Sequence, residues 1–234
     1  MQPPDLTQFT EPGLYLQFPD GESLALTAQT IDDTARALLS NPAKIPVHVK
    51  EAEAFQLCDI CPKRDSGDTC HAIRPIMAVW EHFDRYVSHE HVTAVYRSAT
   101  GGIVVSAETT VQRALQYVSV LSLMFYCEIG KKYWRYFYGV HPLMDTEDVV
   151  IRVYLNMFWA CRGDLTRTRA LIETFHDEIT TTTRCQMERI RLFCHNDALL
   201  NALILTQLAS EFLAMNAEDL VKRRVETFAQ SFFG

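Results

Sequence analysis

A β-hairpin is predicted near the start of the chain by the segment Leu14-Tyr15-Leu16-Gln17-Phe18-Pro19-Asp20-Gly21-Glu22-Ser23-Leu24-Ala25-Leu26-Thr27. Two β-prone stretches flank the Asp20-Gly21 pair, which is a strong signal for a tight turn between antiparallel strands. Glycine suits such a turn because it adopts positive φ without steric cost. We therefore expect the chain to open with two paired strands.

A second hairpin is predicted where Val92, Ala94 and Tyr96 are followed by Gly101-Gly102 and then by the apolar run 103–105. Together the two hairpins predict an antiparallel sheet of about four strands. Between them, the apolar residues of 72–87 recur at helical spacing, which predicts one amphipathic helix there. A shorter helix is predicted over 32–39.

Beyond Thr109 the sequence indicates helices. They are predicted over 111–129, 145–161, 164–179, 184–214 and 217–232, with the threonine run 180–183 as a junction and Gly130 as a C-cap. The fold class expected is α+β, a small antiparallel sheet packed against a mainly helical C-terminal layer. We expect a single domain over 1–234, with a subdivision into a β-containing part, 1–108, and a helical part, 109–234.

Composition excludes several classes of function. The 234 residues carry a formal net charge of −7 without a basic stripe, which argues against a nucleic-acid partner. No secretory signal is recognisable, and the best candidate for a membrane span, 111–129, is interrupted by polar residues. The sequence therefore predicts a soluble, cytoplasmic protein that has no membrane partner. Its seven cysteines are then expected to be reduced thiols or metal ligands.

The chemically distinctive feature is Cys58-Asp59-Ile60-Cys61-Pro62, followed by Cys70-His71. Two cysteines separated by two residues can direct both thiolates at one metal, and the loop to Cys70 can return a third. A tetrahedral zinc site needs a fourth ligand, for which His71, Cys127 and His141 are candidates. The set that we select is Cys58, Cys61, Cys70 and Cys127, with zinc as the expected metal.

Other interpretations of these cysteines stay open. An iron–sulfur cluster requires the same thiolates, and a redox dithiol would use Cys58 and Cys61. Ordinary half-buried thiols or a surface disulfide would also be compatible with the spacing. Cys161, Cys185 and Cys194 lie on predicted helices among apolar residues and are interpreted as small core side chains.

The segment from Cys58-Asp59-Ile60-Cys61-Pro62 to Cys70-His71-Ala72 resembles that of uncharacterised bacterial proteins with a C-x-x-C-P motif, a later C-P-A, hairpin strands and a helix ending in S-G-C. Cys127 falls where the last cysteine of that pattern would lie, and His141-Pro142-Leu143 resembles a following H-L-P. The resemblance spans roughly residues 57–159. It implies an architecture and a four-cysteine site, and no activity accompanies it.

The function expected from sequence is a non-enzymatic or regulatory module, self-associating as a homo-oligomer, with a cysteine-rich site that holds a metal. No phosphate loop, dinucleotide fingerprint, nucleophile elbow or zinc-protease motif is present, and an enzymatic activity remains unassigned. The alternatives are a thiol redox protein and a small-ligand binder. The binder would use a pocket between helices lined by aromatic residues of 117–138 (Tyr117, Phe125, Tyr126, Tyr133, Trp134, Tyr136, Phe137 and Tyr138).

Overall fold

A computed structural model describes residues 10–27, 29–31, 33, 47–100 and 102–233. Its strands and helices, in chain order, are β1 (Gly13–Gln17), β2 (Ser23–Thr27), α1 (Val47–Ala54), α2 (Arg74–Met77), α3 (Trp80–Phe83), β3 (His91–Arg97), β4 (Val104–Thr110), α4 (Val111–Leu121), α5 (Thr146–Ala160), α6 (Leu165–Ile190) and α7 (Ala198–Phe233). The helix predicted over 32–39 falls almost entirely outside the described residues.

The four strands form one antiparallel sheet in the order β2-β1-β3-β4. Leu14 pairs with Leu26 across the first hairpin and with Tyr96 on the other side, so β1 is a central strand. Gly21 has φ +90°, and its amide donates to the carbonyl of Phe18. Both predicted hairpins are therefore confirmed, the first with glycine in the conformation that the turn requires.

The C-terminal half forms the helical layer, in which the long helix α7 packs against α4, α5 and α6. Its core side chains are completely buried, as Leu115, Met157, Ile179 and Leu203 show. At α5 the carboxylate of Asp145 accepts a hydrogen bond from the Glu147 amide and caps the helix, as its acidic start predicts. The α+β fold class with a helical C-terminal part is confirmed.

The single helix predicted over 72–87 is wrong. A 3-10 turn, His71–Ile73, leads into α2 and α3, and Val79 between them leaves helical geometry with φ −124°. Buried side chains occur at consecutive positions of this segment rather than on one stripe. Because most side chains from Ala72 to Val79 are buried, this part of the segment lacks the solvent-facing stripe of a regular amphipathic helix.

The predicted helix boundaries after Asp164 are also wrong. Helix α6 continues through the threonine run 180–183 to Ile190, and α7 continues past Ala214 and Asn216 to Phe233. The hydroxyls of Thr181, Thr182 and Thr183 each donate to the carbonyl four residues earlier. This bonding satisfies the hydroxyls inside the helix, so a cluster of β-branched residues does not interrupt it.

Helix α4 ends at Leu121, eight residues before the predicted end. It continues as a π-helical turn, Ser122–Tyr126, and Cys127 is extended. Gly130 then begins a 3-10 turn instead of capping a helix. A π turn widens the backbone by one residue and often occurs at functional sites. Here the turn places Cys127 next to the loop that contains Cys58 and Cys61.

Among the described residues, one helix, with its apolar segment at 198–231, is long and apolar enough to cross a membrane by length and composition. Only 39% of its most apolar window is buried inside the protein. A core helix of a soluble protein meets the same criterion, so this property alone gives no membrane assignment. From sequence alone, the best candidate is instead 111–129, which polar residues interrupt.

Candidate cysteine site

The Cys58–Cys61 loop is built from consecutive turns that follow α1. The amide of Cys61 donates to the carbonyl of Cys58 at 2.9 Å, and the amide of Arg64 donates to the carbonyl of Cys61 at 3.1 Å. A tight turn between two cysteines in this spacing brings both sulfurs to the same side of the backbone. The loop therefore has the local geometry that the sequence predicts.

Cys70 is held beside this loop by α1. Its amide donates to the carbonyl of Glu53 at 3.2 Å, and the Glu53 carboxylate pairs with Arg74 at 3.2 Å. Both members of that ion pair are largely buried, at 13% and 24% side-chain exposure. The return of the chain from Cys61 to Cys70 is thus fixed at its end by α1.

Cys127 reaches the site from the π turn. Its amide donates to the Ser122 carbonyl at 3.1 Å, and the Ser122 hydroxyl donates to the carbonyl of Ala72, two residues after Cys70. On the outside, Lys63 pairs with Glu128 at 3.4 Å. These contacts connect the Cys127 segment to the Cys61 loop and to the Cys70 turn.

One small cavity, of about 20 Å³, is lined by all four cysteines selected from the sequence: Cys58, Cys61, Cys70 and Cys127. That volume is enough for one water-sized occupant. Among the two other ligand candidates, His71 lines the same cavity, whereas His141 lines a different one. Within the part of the chain that the structure describes, no three His, Cys, Asp or Glu side chains already converge as a metal-binding group.

Helix α6 contributes two buried polar side chains that the sequence analysis did not select. The Gln186 amide donates to the Cys70 sulfur at 3.3 Å, while its Oε1 is buried without a hydrogen-bond partner. Arg189 is completely buried, and its Nη1 donates to the Cys185 sulfur at 3.1 Å. Cys185 and Arg189 lie four residues apart on one helix face, but this spacing alone does not indicate that the face meets the cysteine loop.

The remaining contacts of Arg189 are to neutral groups. Its Nη2 donates to the carbonyl of Phe55 at 3.0 Å and to that of Gln56, its guanidinium lies over the Phe55 ring, and Nε has no partner. Among the described residues, no carboxylate lies within 4 Å of it. Burial lowers the pKa of Arg189, but the electrostatic effect of the neighbouring Cys70, Cys185 and Cys58 raises it by more, and the net shift is upward.

Cys185 and Cys58 are neighbours beside the cavity. The interaction between the two thiols raises the pKa of Cys58 and, aided by Arg189, lowers the pKa of Cys185 to about 6 against the opposing effect of burial. The interpretation of Cys185 as a small core side chain therefore misses its polar contacts. Cys194 is likewise polar in its contacts, because its sulfur donates to Asp84 at 3.4 Å.

Cys127 combines burial with local hydrogen bonding. Burial raises the pKa of its thiol, and the backbone N–H groups of Ile129 and Gly130 act in the opposite direction by favouring the thiolate. Backbone N–H groups directed at a sulfur commonly stabilise thiolate ligands.

Protein-family, curated-protein and solved-structure comparisons give no match to this chain.

Proposed function

We propose that this protein is a regulatory or structural module whose four-cysteine cavity binds a metal centre through the thiolates of Cys58, Cys61, Cys70 and Cys127. The observation that supports the proposal most is the completely buried Arg189 guanidinium, which donates to the Cys185 sulfur and has no carboxylate of a described residue beside it. A buried guanidinium costs several kcal/mol unless an anion accompanies it. The groups close enough to supply that anion are cysteines.

The positive charge of Arg189 would partly neutralise the negative charge of such a centre. Four thiolates around a divalent zinc ion leave a net charge of about −2, and Arg189 lies at the buried side to offset part of it. Gln186 and the amides of Ile129 and Gly130 would donate hydrogen bonds to the sulfurs. The sequence-derived ligand set and its surroundings are therefore chemically compatible with a thiolate centre.

Zinc and an iron–sulfur cluster share this ligand chemistry but differ in geometry. Zinc requires all four sulfurs at about 2.3 Å from one point, so they would have to move inwards from their present positions. A cluster distributes its cysteine ligands over several irons and requires less convergence. Elemental analysis and the visible absorption of an iron–sulfur chromophore distinguish the two.

The first prediction concerns metal content. Protein purified without added metal, and anaerobically in a parallel preparation, is expected to carry close to one zinc ion or one cluster per chain. Cys127→Ser should lose most of that metal and melt at a lower temperature, because metal binding contributes directly to folding. The measurements are elemental analysis, absorption spectra and thermal unfolding with and without a chelator.

The matched control is Cys161→Ser, which replaces a half-buried cysteine outside this cavity and should leave the metal content unchanged. His71→Ala distinguishes an alternative fourth ligand, since metal retained in Cys127→Ser but lost in His71→Ala would transfer the role to His71. Wild-type protein free of both zinc and iron after either preparation would refute the proposal.

A second candidate function is favoured by the neighbouring thiols of Cys58 and Cys185, the latter accepting a hydrogen bond from Arg189. In this thiol redox function the partner of Cys58 is Cys185 rather than Cys61. The Cys185 thiolate would attack a small disulfide and release one thiol, and Cys58 would then resolve the mixed disulfide and release the second. Two electrons pass to the small disulfide, and the protein gains one internal disulfide.

The second prediction tests this reaction. If Cys58 and Cys185 are a redox pair, oxidised glutathione should convert them to a disulfide, identified by peptide mapping under non-reducing conditions. Cys185→Ser should then fail to react and Cys58→Ser should stop at a mixed disulfide, while Cys194→Ser should behave like the wild type. A peptide map without a Cys58–Cys185 linkage would eliminate this candidate and leave the metal proposal in place.

A further inference from the structure

A second and much larger cavity lies in the helical layer, away from the cysteine site. Its volume is about 280 Å³, close to the lower end of the roughly 300–1,000 Å³ range of small-molecule sites. It lies among α4, α5, α6 and α7, with the end of β3 and the segment 137–144 closing other sides. Phe125, 53% exposed, lies at its rim, so the cavity reaches the surface there.

The lining is mostly aliphatic. Side chains that face the cavity include Val120, Leu121, Met124, Val150, Val153 and Leu213. Three of the aromatic residues singled out from the sequence, Tyr117, Phe125 and Phe137, also line it, whereas Tyr133 and Tyr136 pack against other parts of the core. An apolar enclosure of this kind favours a ligand with a hydrocarbon body.

Arg113 is the one Lys or Arg among the lining residues that the structure describes. Its Nη1 donates to the Thr146 hydroxyl at 2.8 Å and its Nη2 to the Met144 carbonyl at 2.7 Å, which fixes the guanidinium in place. Burial lowers the pKa of Arg113, and the more distant charge of Asp145 partly opposes that effect. No carboxylate oxygen of a described residue lies within 4 Å of it.

A guanidinium has five N–H donors, and hydrogen bonds to described residues use two of those on Arg113. The remaining donors suit a carboxylate, which matches the planar fork of an arginine and carries the single negative charge that one cation neutralises. A phosphate monoester would bring up to two negative charges to a site with one arginine. The site is thus a hydrocarbon enclosure with one fixed cation.

We propose that this cavity binds a medium-chain aliphatic carboxylate, with its chain among the aliphatic side chains and its carboxylate on Arg113. The proposal is independent of metal binding at the cysteine site. It also specifies the ligand class for the aromatic pocket expected from the sequence. The ligand would supply the anion that Arg113 lacks, while its chain would fill otherwise empty apolar space.

The third prediction uses decanoate and decan-1-ol, two probes with the same chain length and different head groups. Calorimetric titration of the full chain should give saturable binding of one decanoate per chain. The affinity for decan-1-ol should be about 10- to 100-fold weaker, because it lacks the charge-assisted hydrogen bonds. Equal affinities for the two probes, or no saturable decanoate binding, would overturn the proposal.

Three variants, one of them a control, locate the binding. Arg113→Met should reduce decanoate affinity to that of decan-1-ol, whereas Arg167→Met, a change at a side chain 77% exposed on α6, should not alter it. Val120→Phe fills the cavity without replacing Arg113 and should abolish binding of both probes. Circular dichroism and thermal melting verify that each variant is folded. A folded Val120→Phe variant that binds decanoate like the wild type would show that the ligand lies elsewhere.

Discussion

Replacing Arg189 with methionine is expected to lower the free energy of unfolding by about 3–5 kcal/mol, among the largest effects for any single change in this protein. The arginine is completely buried between α6 and the chain before Cys58. Methionine would leave the carbonyls of Phe55 and Gln56 without their donor and the Cys185 sulfur without its neighbouring cation. Urea unfolding monitored by circular dichroism measures the change.

Two further variants separate charge from hydrogen bonding and from helix propensity. Arg189→Gln retains hydrogen-bond donors without the charge, so it should be nearly as unstable as methionine if the cation compensates thiolates. Arg184→Met, at an exposed position of the same helix, should change stability by no more than about 0.5 kcal/mol. If Arg189→Gln unfolds at the wild-type urea concentration, the charge of Arg189 has no compensating role.

The metal proposal adds a second measurement to the same variants. In protein that carries the centre, the loss of Arg189 should increase the rate of metal release to a chelator, because the net negative charge would lose its buried counter-ion. Arg184→Met should release metal at the wild-type rate. Unchanged metal release in a folded Arg189→Gln variant would restrict the role of this arginine to packing and backbone hydrogen bonds.

The sheet could be predicted from the sequence because each hairpin is encoded locally. Asp20-Gly21 and Gly101-Gly102 separate β-prone segments, and turn chemistry of this kind sets the pairing of neighbouring strands. The pairing of β1 with β3 was not specified, since it joins residues about 80 apart along the chain. Such contacts depend on the complete core rather than on any short pattern.

The helix boundaries were less predictable for a related reason. The threonine run 180–183 indicates a junction by propensity alone, yet its hydroxyls bond back to the helix and Thr182 and Thr183 are completely buried. Conversely, the apolar spacing over 72–87 indicates one helix, although buried side chains occur at consecutive positions there. In both cases tertiary packing overrides the local preference.

At the cysteine site, the sequence identified the residues that line the cavity but not those that surround them. The spacing of Cys58, Cys61 and Cys70 is a local signal. Arg189 and Gln186, by contrast, meet the loop from a helix more than 110 residues away. A long-range contact between a helix face and a loop has no periodic signature, so only the structure reveals the buried cation.

Gly130→Ala is expected to destabilise the protein by about 3 kcal/mol or more, because the new methyl group would collide with backbone rather than with an adaptable side chain. A Cβ at this position would lie 1.9 Å from the carbonyl oxygen of Leu123. The carbonyl belongs to the π turn that leads to Cys127, and the amide of Lys131 donates to the Cys127 carbonyl at 3.0 Å. Relief of the collision must therefore displace the Cys127 segment.

The metal content of Gly130→Ala tests whether Cys127 is a metal ligand. If Cys127 is a ligand, Gly130→Ala should lose metal together with stability, even though no cysteine is altered. Gly102→Ala is the matched control, since its Cβ would meet nothing closer than 3.9 Å at an exposed turn, and it should remain within about 1 kcal/mol of the wild type. Urea unfolding and elemental analysis give both readouts. A Gly130→Ala variant of wild-type stability would contradict the close packing against Leu123, whereas a destabilised but folded variant with full metal content would remove Cys127 from the ligand set.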